Sequence, residues 1–170
     1  MEEIAERAGM AVGTLYNYFD DRGALLQAVL EASATELTAR MEKGALPVGV
    51  PFKEQVERFF SLVLEHQQSH FRLFAILVQE ELEQARSLGG AGRRPLTLRP
   101  LYNLAQRLVE NGVREGALRA EDADLYPTFL LGMVRGVFTR QLLVTGDLPS
   151  LAAAGPMTRF FLHGAAAGRR

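Results

Sequence analysis

The sequence predicts an all-α protein, on three observations. Apolar residues recur at the three-to-four spacing of one helical face along most of the 170 residues. Proline and glycine gather at a few points between those stretches, where a helix cannot pass intact. Strand signals are almost absent, since Val48-Gly49-Val50 is too short and too rich in breakers to pair.

Taken in order, two short helices are predicted over 2–8 and 12–18, joined by Gly9-Met10-Ala11. A longer one covers 22–42, where Leu25, Leu26, Val29, Leu30, Ala34, Leu37 and Met41 form a stripe. It stops at Gly44 before the linker Leu46-Pro47-Val48-Gly49-Val50-Pro51. The next helix starts at Phe52, carries Val56, Phe59, Phe60, Val63 and Leu64, and fades in the polar Gln67-Gln68-Ser69-His70. Another runs over 71–86, and residues 87–95 form the longest candidate mobile loop. A helix over 96–115 follows, with Gly116 as its left-handed stop. Asp122 or Asp124 is placed to cap the next, which reaches Thr145 before Gly146. Gly155-Pro156 then interrupts the tail, with Pro156 in the first turn of a last helix ending near Gly168.

Composition excludes several classes of function. Lys plus Arg number 19 against 20 Asp plus Glu, so any contact with nucleic acid must be local. Without cysteine there is no disulfide framework, thiolate nucleophile or cysteine-based zinc site. No stretch approaches ~18 uninterrupted apolar residues, so no membrane span is expected. Met1-Glu2-Glu3 is acidic where a secretion signal is basic, and a cytoplasmic location is expected.

The strongest local signal lies in residues 1–19. Two helices crossing steeply over a three-residue turn need a small residue at their approach, and Ala5 supplies it. The turn needs a residue tolerant of left-handed dihedrals, which Gly9 supplies. Ile4, Ala8, Met10, Leu15 and Tyr18 are candidates to fill the wedge between the helices. These are the requirements of a helix-turn-helix, although a plain helical hairpin needs only the apolar spacing.

Ile4-Ala5-x-x-Ala8-Gly9-Met10-Ala11-x-Gly13-Thr14-Leu15-Tyr16-x-Tyr18-Phe19, with Arg22 and Leu25-Leu26 after it, resembles the DNA-binding segment of TetR/AcrR-type bacterial transcription regulators. The resemblance implies an N-terminal helix-turn-helix joined by a long helix to a helical ligand-binding and dimerisation domain, here residues 1–44 and 45–170. Residues 12–18 would be the recognition helix, entering the major groove by its N-terminal end. Val12, Gly13 and Thr14 stand at that end; Tyr16 and Tyr18 offer hydroxyls to phosphate, and Arg22 offers a cation.

Three departures from the family pattern stand out. The family carries a further helix of roughly twenty residues ahead of the one at Glu2, which this sequence does not contain; Ile4, Ala8, Leu15 and parts of the long helix are therefore expected to be under-covered. Ala11 stands where the family has a capping Ser or Thr, a loss of about 1 kcal/mol. Through residue 22 the segment sets Glu2, Glu3, Glu6, Asp20 and Asp21 against Arg7 and Arg22, which predicts poor DNA binding by the 170-residue form.

For the rest of the chain the resemblance implies an effector cavity. Phe59, Phe60, Phe71, Phe74, Phe129, Met133 and Phe138 are its candidate apolar lining, and Gln79, Tyr102, Asn103, Gln106 and Arg135 its polar anchors; Phe74 and Tyr102 are expected to border it. The alternative for each aromatic is plain core. An apolar or aromatic effector is favoured, because no carboxylate pair or cationic cluster stands out. The last two long helices would form a homodimer, with Gly132 and Gly136 one turn apart and Phe160, Phe161 and Gly164 as contact surface. His66 and His70, four apart, could share a helical face as metal ligands, but no third ligand is evident, and neither a metal nor a cofactor is expected. Enzyme activity is not expected. The expected function is a ligand-responsive regulator, most simply a repressor, with operator DNA, a small effector and a second copy as partners. The alternative is a dimeric ligand-binding protein without productive DNA binding.

Overall fold

The computed structural model describes residues 1–44, 49–86, 99–146 and 150–165, with the backbone alone at 80–86 and 165. The expected loop at 87–95, the start of the Leu46 linker and the end of the last helix lie outside the described residues. Within them the protein is all-α and forms no strand: α1 (Glu2–Arg7), α2 (Val12–Tyr18), α3 (Arg22–Gly44), α4 (Phe52–Ser69), α5 (Phe71–Arg86), α6 (Arg99–Arg114), α7 (Tyr126–Arg140) and α8 (Ala154–Ala165).

Helix α4 is the centre of the bundle and touches α3, α5, α6, α7 and α8. Its sequence explains that place. Phe59 and Phe60, and again Val63 and Leu64, point into different sectors, so the helix is apolar over much of its circumference. Met41 from α3, Leu104 and Leu108 from α6, and Leu130 from α7 complete a core in which each of these side chains is at most 1% exposed. Burial of this surface is the main stabilising term. Where α6 passes α4 the fit is close: a Cβ on Gly112 would stand 2.5 Å from Phe52 Cζ and 2.9 Å from Leu118 Cδ1.

Helices α1 and α6 end in the same way. Gly9 (φ 67°) and Gly116 (φ 71°) adopt the left-handed conformation that closes a helix. At each the glycine N–H and the following N–H turn back onto the last turn, as in Met10 N–H to Ala5 O (3.0 Å) and Ala117 N–H to Gly112 O (2.8 Å). The start of α7 differs from expectation. Neither Asp122 nor Asp124 caps it; Leu125 holds the N-cap position without a side-chain bond, and Pro127 lies in the first turn. Beyond Arg140 the helix widens into a π-turn over Gln141–Thr145 before Gly146.

Candidate nucleic-acid interface and effector cavity

The first three helices present one short rod to solvent. Ala5 (2% exposed) and Leu15 (6%) are the buried members of α1 and α2, which pack on each other. Leu15 is thus covered, contrary to the expectation of under-coverage, whereas Ile4 and Ala8 are open. The wedge is also narrower than expected: Ile4, Ala8, Met10 and Tyr18 are exposed, and Tyr18 stands 78% in solvent. Val12, Gly13, Thr14 and Tyr16 are exposed on α2, and Arg22 is exposed at the first position of α3. A Cβ on Gly13 would meet no atom within 4 Å, so the backbone there is open to close approach from outside.

The ends of α2 are set by backbone alone at one side and by a carboxylate just beyond the other. Ala11 is the N-cap, with extended dihedrals (φ −68°, ψ 140°) and no side-chain bond. After the extended Phe19, Asp21 Oδ1 accepts the N–H of Ala24 at 2.6 Å and caps α3. Asp21 therefore fixes where the long helix starts relative to α2, a role that charge counting does not reveal. Arg7 pairs with Glu3 at 2.8 Å, both exposed, leaving that cation partly neutralised. Beside this unit an open, largely apolar groove runs between Ile4, Leu25, Leu26 and Val29 on one side and Leu73 and Ile76 of α5 on the other.

Helix α3 continues into the bundle, where polar ties hold it. Arg40 meets Glu65 of α4 at 2.9 Å and Glu42 meets Arg107 of α6 at 2.7 Å. Inside, Ser33 Oγ lies 2.7 Å from Nε2 of the fully buried His66. Burial, followed by the neighbouring His70, lowers the His66 pKa to about 4, so this ring is neutral near pH 7.

A cavity of about 330 Å³ lies between α3, α4, α5, α6 and α7. Phe74 and Tyr102 both border it, among Leu37, Val63, Leu77 and Phe138. Its polar lining is Gln67, Tyr102, Thr128 and Arg135. Gln67 escapes the sequence reading because it sits in a polar run. It nevertheless falls four residues after Val63 on the buried face, and its Oε1 is buried with no partner among the described residues.

The other expected lining residues go elsewhere. Phe59 is core, edge-on to Phe60 at 5.7 Å. Phe71 packs on Phe138 outside the cavity lining (5.7 Å). Gln79 and Asn103 are exposed and do not line it, and Gln106 borders a separate open groove with Val109 and Val113. Phe129 and Met133 belong with Gly132, Phe160, Phe161 and Gly164, all of which line one groove between α7 and α8. On that face Phe160 is 75% and Phe129 50% exposed, and a Cβ on Gly132 or Gly136 would meet nothing within 4 Å. Phe161 alone turns inward, edge-on to Tyr126 at 5.9 Å. Among the described residues no helix is long and apolar enough to cross a membrane.

Comparison with known proteins agrees with the N-terminal geometry. Residues 1–29 match the family of bacterial regulatory proteins of the tetR type. The chain is 23% identical over 128 residues to an HTH-type transcriptional regulator of Bacillus subtilis, YhgD, covering 74% of this chain and 64% of the relative. It is 40% identical over 53 residues to the HTH-type transcriptional repressor KstR of Mycolicibacterium smegmatis, covering 31% of this chain and 26% of that one. The chain thus spans less than two thirds of either relative. Two solved structures share the fold. FadR from Bacillus subtilis, in complex with stearoyl-CoA, has a TM-score of 0.76 and 20% identity, over 96% of this chain and 87% of that one. A TetR transcription regulator from Haloarcula marismortui has a TM-score of 0.71 and 17% identity, over 98% and 86%.

Proposed function

We propose that this chain, tetR-type in its first 29 residues, is a transcriptional regulator that binds operator DNA as a homodimer and is released by a small, mainly apolar effector. The observation that carries the reading is the exposed α2. Closed off from α1 by the left-handed Gly9 and capped away from α3 by Asp21, it offers Val12, Gly13, Thr14 and Tyr16 to a groove, with Arg22 at its side. An α-helix fits the major groove, and base edges are distinguishable there. Tyr16, Tyr18 and Arg22 would hold phosphates and set register.

The exposed Phe160, Phe129, Gly132 and Gly136 support dimerisation through α7 and α8, which would set two recognition helices about one turn of DNA apart, ~34–36 Å. The cavity supports effector binding: about 330 Å³ is near the lower end of ligand sites, and its apolar wall with Gln67 and Arg135 suits an apolar body with one polar group. An effector that fits one spacing of the α2 pair better than the other lowers DNA affinity by that difference. Stearoyl-CoA, bound by the FadR relative, is the first probe.

The acidic surface favours a second reading, a dimeric ligand-binding protein without productive DNA binding. Glu2, Glu3, Glu6 and Asp20 are exposed and Arg7 is paired. Selection of the full chain against random duplex DNA decides between them. Enrichment of a two-fold symmetric site, with affinity and salt dependence reduced by Arg22→Ala, supports the regulator; the slope of log K against log salt should fall by about 0.9 per subunit. No enrichment, with a ligand-induced rise in thermal stability, supports the second reading.

A further inference from the structure

Sequence spacing alone gave His66 and His70 no third ligand, but the packing of α3 on α4 brings one. A ligand atom from each of Glu36, His66 and His70 lies within 4.8 Å of the other two. Hydrogen bonding engages one nitrogen of each ring and leaves the other available. His70 Nδ1 donates to the His66 carbonyl at 3.1 Å, which leaves the lone pair on Nε2, 3.9 Å from Glu36 Oε2. His66 has one nitrogen, Nε2, engaged by Ser33 Oγ at 2.7 Å, while the other, Nδ1, is buried with no hydrogen-bond partner among the described residues. Metal-bound histidines commonly have one nitrogen fixed in this way by a carbonyl or hydroxyl. An unpartnered polar atom on a fully buried side chain is a cost that a bound cation would remove.

We propose that Glu36, His66 and His70 form a binding site for a divalent first-row transition-metal ion of the zinc type, tying α3 to the α4–α5 corner. Two imidazoles and a carboxylate suit Zn²⁺, Ni²⁺ or Fe²⁺ and do not suit Ca²⁺ or Mg²⁺, which take oxygen ligands. With zinc–ligand distances of ~2.0–2.2 Å, tetrahedral ligand atoms stand about 3.4 Å apart, so the 3.9 Å between Glu36 and His70 must close by about half an ångström, and separations from His66 of up to 4.8 Å by up to about 1.4 Å as Glu36 and His70 swing toward it. Both are on the accessible side, with side chains 56% and 34% exposed, so this closure needs only side-chain rotation and leaves a route for the ion. Arg40, whose charge acts on His66, is engaged by Glu65 at 2.9 Å, which reduces its repulsion of the ion. Because α3 starts directly after the recognition helix, occupancy would bias DNA binding; that consequence rests on the regulator reading, whereas ion binding does not.

The test is titration of the chelator-treated full chain with Co²⁺, read by visible absorbance, followed by displacement with Zn²⁺. One Co²⁺ per chain is expected, with a spectrum of low coordination number that Zn²⁺ abolishes. Glu36→Gln and His70→Gln should each weaken binding by more than about tenfold, while His163→Gln, in the exposed part of α8, leaves it unchanged. Zn²⁺ at a hundredfold excess over its Kd should raise the Tm of the parent chain by roughly 5 °C or more. Circular dichroism keeps the variants interpretable, since neither changes a buried residue. No Co²⁺ spectrum and no Tm rise, or one bound Co²⁺ that survives both substitutions, overturns the proposal.

Discussion

Ala11→Ser is the sharpest probe of α2, the proposed recognition helix. Ala11 already has the extended dihedrals an N-cap requires (φ −68°, ψ 140°), and its carbonyl accepts the N–H of Thr14 at 3.0 Å, so the backbone need not move. The position is exposed, so a hydroxyl meets no steric obstacle. The only missing element is a side-chain oxygen within reach of the N–H of Gly13 or Thr14. Supplying it should stabilise α2 by about 1 kcal/mol, or roughly fivefold in its local opening equilibrium. A seven-residue helix is marginal by itself, so the gain should be seen locally rather than in the bundle. Hydrogen exchange is the assay: the α2 amides should slow about fivefold, while those of α4 and α6 stay unchanged. Ala11→Val, which adds bulk without an acceptor, should give no protection. Equal exchange in the serine and valine variants would refute the assignment of Ala11 as an uncompensated cap.

Three further outcomes follow from particular contacts. Gly112→Ala places a methyl 2.5 Å from the Phe52 ring, so despite alanine's better helix propensity it should lower stability by about 1–3 kcal/mol, read as a reduced urea midpoint at unchanged m. His66 has its pKa lowered from 6.5 to about 4, so the unfolded chain takes up a proton first as pH falls. In metal-free buffer, stability should therefore be full above pH 6.5 and decline toward pH 4 by about 3 kcal/mol, a slope that His66→Phe should flatten in pH-dependent denaturation. Phe160→Glu, at a side chain 75% exposed, should leave chain stability nearly unchanged but convert the proposed dimer to monomers in sedimentation, whereas a dimeric mass unchanged by the substitution would remove α8 from the proposed interface.

Much of the fold was legible because local chemistry decides it. Gly9 and Gly116 can take a left-handed conformation at no steric cost, and both mark helix ends where expected. The start of α7 was misread because Asp122 and Asp124 look like caps, while the chain turns further and lets Pro127 open the helix. What the sequence could not supply is which stripe faces which neighbour. Phe59 and Phe74 are equally plausible linings by composition, but α4 sits at the centre and turns Phe59 into the core, while Phe74 reaches the cavity rim. Gln67 looked like a fading helix end, though the period of Val56, Phe60 and Val63 already pointed to its burial. Glu36 could not be joined to His66 and His70 without the packing of α3 on α4, because its distance along the chain carries no sign of contact.

The proposed function requires α2 to enter the major groove by its N-terminal end. A hydroxyl-radical footprint of the full chain on its selected DNA tests this most directly. Two protected patches about one helical turn apart are expected, with Thr14→Ala altering base preference within each patch and Arg22→Ala weakening protection without altering preference. A footprint indifferent to both substitutions would contradict this mode of entry.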